Sequence, residues 1–396
     1  MNHYQRMINT IAGEYTDRIP WAPRMDLWYI ANRSRGTLPS EFVRLNTVEI
    51  SELLDVACHA VRADYTLPGA RDLSLRGLGM DNHPDYPFRI ELKGLPVKFS
   101  DDGVDMKTLI STSKGEIFTH LHRNPDMTKA GISIPFVKSY AIENPDDIQA
   151  LMRVFQHLEV IPNPEGYADF HKRIGQQGVA VASGPIAASP MHLILHELMP
   201  MDRFFYTYAD NRNILCQLAS SMEEFFHKLL DVLVSSDAEV VFWGGNYDQD
   251  LTWPTFFQKE ITPWLSKVSE RLHSVGKYLL THTDGENKAL MPYYKDCGFD
   301  VAESVCPAPM TQCSLKEIRH GMGENITVWG GIPSVALLEG SMDEAEFDDY
   351  LDKMFSEIGS GRRLILGVSD NVPPDAKLKR FKKIKEQIED FGSVSN

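Results

Sequence analysis

Short apolar runs alternate with amphipathic stretches through the second half of the chain. The runs are GVAVAS (178–183), AEVVFWGG (239–246), KYLLTH (277–282), DVAESV (300–305), NITVWGG (325–331) and RLILGV (363–368). GVAVAS is a short β-branched run, and each run is followed by sequence of helical period, to about residue 234 and then over 255–275, 286–297, 314–322, 342–358 and 375–391. Runs that are apolar on both faces and joined by helices are strands of a parallel sheet with crossovers. An eight-stranded barrel needs two more strands from the first half, and RIPWAPRM (18–25) and HAVRADYTL (59–67) supply them. Asn144-Pro145-Asp146-Asp147 reads as a helix start, with Asn144 as N-cap, a first-turn proline and acidic residues behind it. The pattern predicts a (β/α)8 barrel of the TIM type.

One segment breaks the rhythm. Between Arg89 and His122, RIELKG, PVKFSDDG, VDMKTLISTSKG and EIFTHLH alternate apolar and polar residues around glycine-bearing turns. That is the pattern of antiparallel hairpins. No Pro/Gly/Ser-rich linker flanks it, so residues 1–396 are expected to form one domain with 89–122 as a β excursion. Functional insertions in this fold gather at the C-terminal face, so the hairpins should lie over or beside the barrel mouth.

Composition narrows the function classes. With 40 Lys+Arg against 55 Asp+Glu the formal charge is −15, which repels phosphate backbones, so nucleic acid is not an expected partner. No run approaches the ~20 apolar residues of a membrane span, and the polar opening MNHYQRMINTIAGEYTDR has no apolar core of a secretory leader. Five cysteines without a regular framework suit a reducing, cytoplasmic setting. Walker and dinucleotide-binding glycine patterns, HExxH, GxSxG and CxxC are all missing.

In a parallel barrel the loops after the strands build the site. Here they carry Ser183-Gly184-Pro185; Asn246, Tyr247 and Asp248; His282-Thr283-Asp284; Glu303 and Cys306; Gly330-Gly331; and Asp370-Asn371. His282 and Asp284 are two apart and share a face if the strand persists. His282, Asp284 and Glu303 are the candidate acid/base groups, with Asn246, Asp370 and Asn371 positioning a ligand and Tyr247 and Trp253 enclosing its apolar part. Bland readings stand beside these: a structural histidine, a small buried thiol at Cys306, an Asx turn at Asp370, core tryptophans. Glu303 is expected to face solvent at its strand end, so that its loss would cost activity and little stability.

The ordered set of pieces resembles the uroporphyrinogen decarboxylase superfamily, and within it the branch of corrinoid-linked methyltransferases. The resemblance rests on RMINTIAGEYTDRIPWAPRMDLW, the SGP turn at 183–185, HTDGENKALMPYYKDCGFDVAE at 282–303, WGGIPS at 329–334 and RLILGVSDNVPPDAKLKRFKKI at 363–384. It implies a (β/α)8 barrel and transfer of a methyl group from a small methylated compound to a corrinoid carried by a separate protein, since the chain has no Asp-x-His-x-x-Gly motif. The branch typically holds zinc on a His-x-Cys pair and a later Cys. Here His282 is kept, Asp284 stands at the first Cys position, and Val368 or Ser369 at the second. A replacement zinc set of His282, Glu303 and Cys306 is expected, with Asp284 as a further ligand or directly behind them, acting on an ether or hydroxyl oxygen. The alternatives are a decarboxylase of the family's founding type, disfavoured by few rim arginines and by GVSDN without a histidine, and a non-catalytic ligand- or corrinoid-binding barrel.

Overall fold

A computed structural model of the chain describes residues 1–63, 66, 71–132 and 134–394. Two antiparallel pieces come first. β1 (Phe88–Leu92) pairs with β6 (Leu158–Pro162), while β2 (Val97–Asp101), β3 (Asp105–Thr112), β4 (Gly115–His122) and β5 (Phe136–Ser139) form a four-stranded sheet in that order. The alternation in β3 and β4 turns Met106, Thr108, Ile110, Ile117, Thr119 and Leu121 inward. The hairpin reading is corrected at its first strand. The Asn82 side chain donates to the Ile90 carbonyl and accepts from its amide, closing the edge of β1 where β2 would have paired.

The second half forms a five-stranded parallel sheet, ordered β11 (Leu364–Ser369), β10 (Thr327–Pro333), β9 (Val301–Val305), β8 (Tyr278–His282), β7 (Val240–Gly245). Every residue of β7, β9, β10 and β11 is buried, as expected of strands covered on both faces. Among the described residues the other three predicted strands make no ladder. Trp21 bridges Leu366 and Ala182 bridges Val241, each as a single parallel pair. Pro20 and Pro23 lack the amide a ladder at 18–25 would need. Residues 178–182 divide their amides between two neighbours, Val181 to Ala60 and Ala182 to Val240. Ala57 N–H donates to Trp21 O and Cys58 N–H to Gln177 O. The end of the predicted strand at 59–67 (Asp64, Tyr65 and Leu67) lies outside the described residues.

Ala22, Ala57, Val181, Phe242, Leu280, Trp329 and Ile365 meet in one buried cluster, drawn from both halves of the chain. Two helical readings change. The helix expected over 286–297 shrinks to Met291–Tyr294, because the Asn287 amide caps the Asp284 and Gly285 carbonyls and Pro292 offers no amide. Asn144 is not an N-cap: the helix is Asp147–Gln156, and the Asp147 carboxylate itself accepts from the amides of Glu143 and Asn144. Among the described residues no helix is long and apolar enough to cross a membrane.

Candidate active site

Parallel pairing sets His282, the last residue of β8, directly opposite Glu303 on β9. Glu303 is 2% exposed, and its carboxylate lies between two imidazoles: Oε2 is 2.5 Å from His282 Nδ1 and Oε1 is 2.9 Å from His59 Nε2. Burial alone would raise the Glu303 pKa, but the charge and hydrogen bond of His282, then those of His59, hold it well below the usual range. The reciprocal effect acts on His282. Burial disfavours its charged ring, yet the charge of Glu303, with those of Asp370 and Asp284 behind it, raises its pKa above 6.5. The expectation of a solvent-facing Glu303 is therefore corrected.

With Nδ1 committed to Glu303, His282 turns Nε2 toward Asp370 Oδ1 at 3.7 Å and Asp284 Oδ2 at 4.0 Å. Asp370 follows β11 and is fixed by Arg24 Nη1 at 2.8 Å and by the Asn371 amide at 2.8 Å. Burial opposes its ionisation, but Arg24 and His282 leave its pKa lowered; Asp284 is raised, first by burial. Asn246, Asp284 and Ser304, at or beside the ends of β7, β8 and β9, have φ of 60°, 40° and 60°. Left-handed backbone at three non-glycine residues is stored strain gathered at one end of one sheet.

Above this cluster opens a cavity of about 790 Å³, of the size that takes a drug-sized ligand. Its floor includes Arg24, Asn246, His282, Asp284, Asp370 and Asn371; its opposite wall includes Ile90, Met106, Leu121, Arg123, Ile134 and Val137. The excursion thus stands over the C-terminal ends of the parallel strands.

Not every sequence candidate reaches the cavity. Tyr247 is fully buried, its hydroxyl 2.8 Å from Thr281 Oγ1, and it packs against Phe257. Trp253 sits among Phe205, Tyr208 and Phe256 with ring centroids 4.8–5.6 Å away. Neither lines the cavity, because both belong to the aromatic layer between sheet and helices. Cys306 lies beyond the end of β9 and lines a separate narrow recess with Thr283, Gly285 and Glu286. Burial first, then the charges of Asp284 and Asp370, pushes its thiol up to about 12, which makes it a poor ligand or nucleophile. In its place Asp370 joins His282 and Glu303: the three each offer a ligand atom within 4.8 Å of the others. One imidazole nitrogen and carboxylate oxygens, with no thiolate, fit a hard or borderline divalent cation better than a thiolate zinc centre.

Arg24, His59 and His196 were missed. Arg24 lies at the end of the predicted strand 18–25, so the strand-end rule finds it once it is applied to the first half as well; His59 opens the predicted strand at 59–67, the end at which that rule does not look. His196 sits on a π-helical turn, Ile194–Leu198, for which periodicity gives no signal. The expectation of few rim arginines also fails, for Arg24, Arg62, Arg71, Arg76 and Arg123 all line the cavity.

The family model for uroporphyrinogen decarboxylase (URO-D) matches residues 130–391. Among solved structures, a methyltransferase from Methanosarcina mazei superposes with a TM-score of 0.56 at 15% identity, covering 99% of each chain. At that identity the likeness speaks for the fold. No curated protein matches the chain.

Proposed function

The chain belongs to the uroporphyrinogen decarboxylase family, and from that premise we propose a methyltransferase that takes a methyl group from a small methylated compound and passes it to a corrinoid on a separate protein. In this reading residues 1–396 are one domain, and the backbone bonds linking Leu366 to Pro20 and Ala22, Trp21 to Ala57, Ala60 to Val181 and Ala182 to Val240 close the parallel sheet into a (β/α)8 barrel.

The observation that carries the reading is the Glu303 carboxylate buried between two imidazoles, with His282 Nε2 aimed at the cavity floor. Methyl transfer from oxygen or nitrogen leaves a poor leaving group, which must gain a proton or a cation as charge develops. His282, held protonated by Glu303, gives its Nε2 proton to the departing oxygen or nitrogen as the carbon–heteroatom bond breaks. Glu303 keeps the ring oriented and charged, and His59 keeps Glu303 ionised. Asn246, Asp370 and Asn371 bind the ligand's polar groups, and the excursion wall excludes water. With His282 neutral instead, a divalent cation such as zinc, held by His282, Glu303 and Asp370, would supply Lewis acidity at that oxygen in place of the proton. The test is spectroscopic: with the corrinoid protein reduced to Co(I) and a methyl donor present, the Co(I) absorbance should decay only when this enzyme is added. An unchanged spectrum across methyl ethers and methylamines, with protein of full divalent metal content, overturns the reading.

The cavity arginines favour a second reading, a decarboxylase of an anionic substrate. Arg24, Arg71 and Arg76 are neutralised by Asp370, Asp81 and Glu197. Among the described residues, Arg62 (stacked over Phe242 at 4.8 Å) and Arg123 have no carboxylate within ion-pair distance. Carbon dioxide released from a polycarboxylated tetrapyrrole would select that reading.

A further inference from the structure

A second histidine–carboxylate pair lines the same cavity. The π-helical turn Ile194–Leu198 presents His196 and Glu197 together, with His196 Nδ1 2.9 Å from Glu197 Oε1. Glu197 Oε2 is held by Arg76 Nη1 at 2.7 Å, and the far side of the ring, Nε2, lies 3.0 Å from Asn246 Nδ2. We propose that His196, anchored by Glu197 and Arg76, is a positioning residue that locks the Asn246 amide with its nitrogen on the protein and its oxygen on the cavity, so that the ligand presents an O–H or N–H group to Asn246 Oδ1. The inference rests on the reading that this cavity is the substrate site.

The proton inventory fixes the orientation. Carboxylates only accept, so the ring nitrogen facing Glu197 carries the hydrogen. In the neutral ring the other nitrogen, Nε2, is then an acceptor, and the group facing it must donate. Asn246 can donate only through Nδ2. The backbone amide of Asn246 is spent on the His282 carbonyl at 2.8 Å, and its φ of 60° gives the residue a single seat at the end of β7. Asn246 Oδ1 receives no hydrogen bond from any described residue, and Asn246 lines the cavity. An acceptor that no described residue satisfies, on a cavity floor it shares with the Asp284 and Asp370 carboxylates, selects for a donor, because a ligand without one leaves the carbonyl desolvated and unpaired. The methyl donor therefore keeps a hydroxyl, amino or amide hydrogen besides its methyl group.

Two readouts test this without any methyl transfer, so they stand or fall separately from the proposed activity. The first is ¹⁵N NMR of the His196 ring in the intact protein: the neutral ring should carry its hydrogen on Nδ1 with Nε2 bare, and a neutral ring protonated on Nε2 overturns the proposal. The second compares affinity for 4-methoxyphenol and 1,4-dimethoxybenzene, which differ by one O–H donor. The wild type should prefer the phenol by about tenfold or more. H196Q, which keeps an acceptor for the Asn246 amide, should retain the preference. H196F and N246L, checked for unchanged melting, should erase it. Equal affinities in the wild type, or a preference that survives in N246L, overturn the proposal. Should neither probe bind, the preference for a donor is refuted.

Discussion

Glu303 and Glu197 each hold the Nδ1 side of a cavity histidine, but their other partners differ. Glu303 is completed by a second imidazole, His59, and Glu197 by the guanidinium of Arg76. A permanent cation holds Glu197, and burial notwithstanding, Arg76 first and then His196 bring the carboxylate down to about 2. Glu303 is 2% exposed, and the described groups paired with its carboxylate are imidazoles that can lose their protons, with the Arg24 guanidinium acting on it without a direct contact. The difference teaches that the same Nδ1 contact serves two ends, a proton supply where the carboxylate raises the ring's pKa and an anchored ring where a guanidinium fixes the carboxylate. His282 is built to carry a proton, and His196 to hold an orientation.

Breaking the first pair should have the largest effect. Glu303→Gln leaves two buried imidazoles around an uncharged amide, so turnover should vanish and urea unfolding should show a loss of about 3 kcal/mol. Glu197→Gln should weaken ligand affinity more than the rate at saturation, because it disturbs aim and not proton supply. If Glu303→Gln retained wild-type turnover, the assignment of the two roles would collapse.

The pH dependence sharpens the same contrast. Glu303 is depressed below 4.5 in the fold, so its contribution is present above that pH and is lost as pH falls. His282 is raised above 6.5, so its contribution is complete below that pH and is lost as pH rises through the folded value. Wild-type stability should therefore decline on the alkaline side, and His282→Asn should flatten that limb in a series of denaturant titrations. An alkaline limb unchanged by the substitution would mean that Glu303 does not charge His282. Metal binding comes next in size. His282→Ala should abolish binding of added zinc, and Asp370→Asn should weaken it by roughly 10- to 100-fold. Arg24→Gln, which removes the competing guanidinium from Asp370, should tighten it. Calorimetry showing no response in all three would leave acid/base catalysis alone at this site.

How much of this was legible follows from what leaves a mark on sequence. β7 to β11 are buried on both faces and read as apolar runs, so their ends, and with them Asn246, His282, Glu303 and Asp370, could be found by counting. Among the described residues the first-half strands make scattered backbone bonds and no ladder, and 18–25 carries two prolines, so Arg24 stood at the end of a strand that was only a candidate and His59 at the start of another. Cys306 failed because a position just beyond a strand has no assured direction. Spacing along neighbouring strands permits a shared ion, but the chain leaves β9 before the thiol can turn inward. His196 belongs to a turn whose geometry has no period to read.

Tyr247 offers the smallest and most local test, because it separates a residue beside the site from one in it. Gly244, at φ 80°, lets the Tyr247 hydroxyl pack where a Cβ would stand 2.1 Å from it, and that hydroxyl shares a buried hydrogen bond with Thr281. Removing it by Tyr247→Phe leaves Thr281 its bond to the Gly244 carbonyl, so no polar atom is stranded. The expected cost is about 1 kcal/mol of unfolding free energy. Because the ring does not line the cavity, ligand affinity should stay within error of the wild type, whereas Asn246→Leu, one residue earlier, should change it. A substantial loss of affinity in Tyr247→Phe with unchanged stability would return the tyrosine to the binding surface where its sequence position first put it.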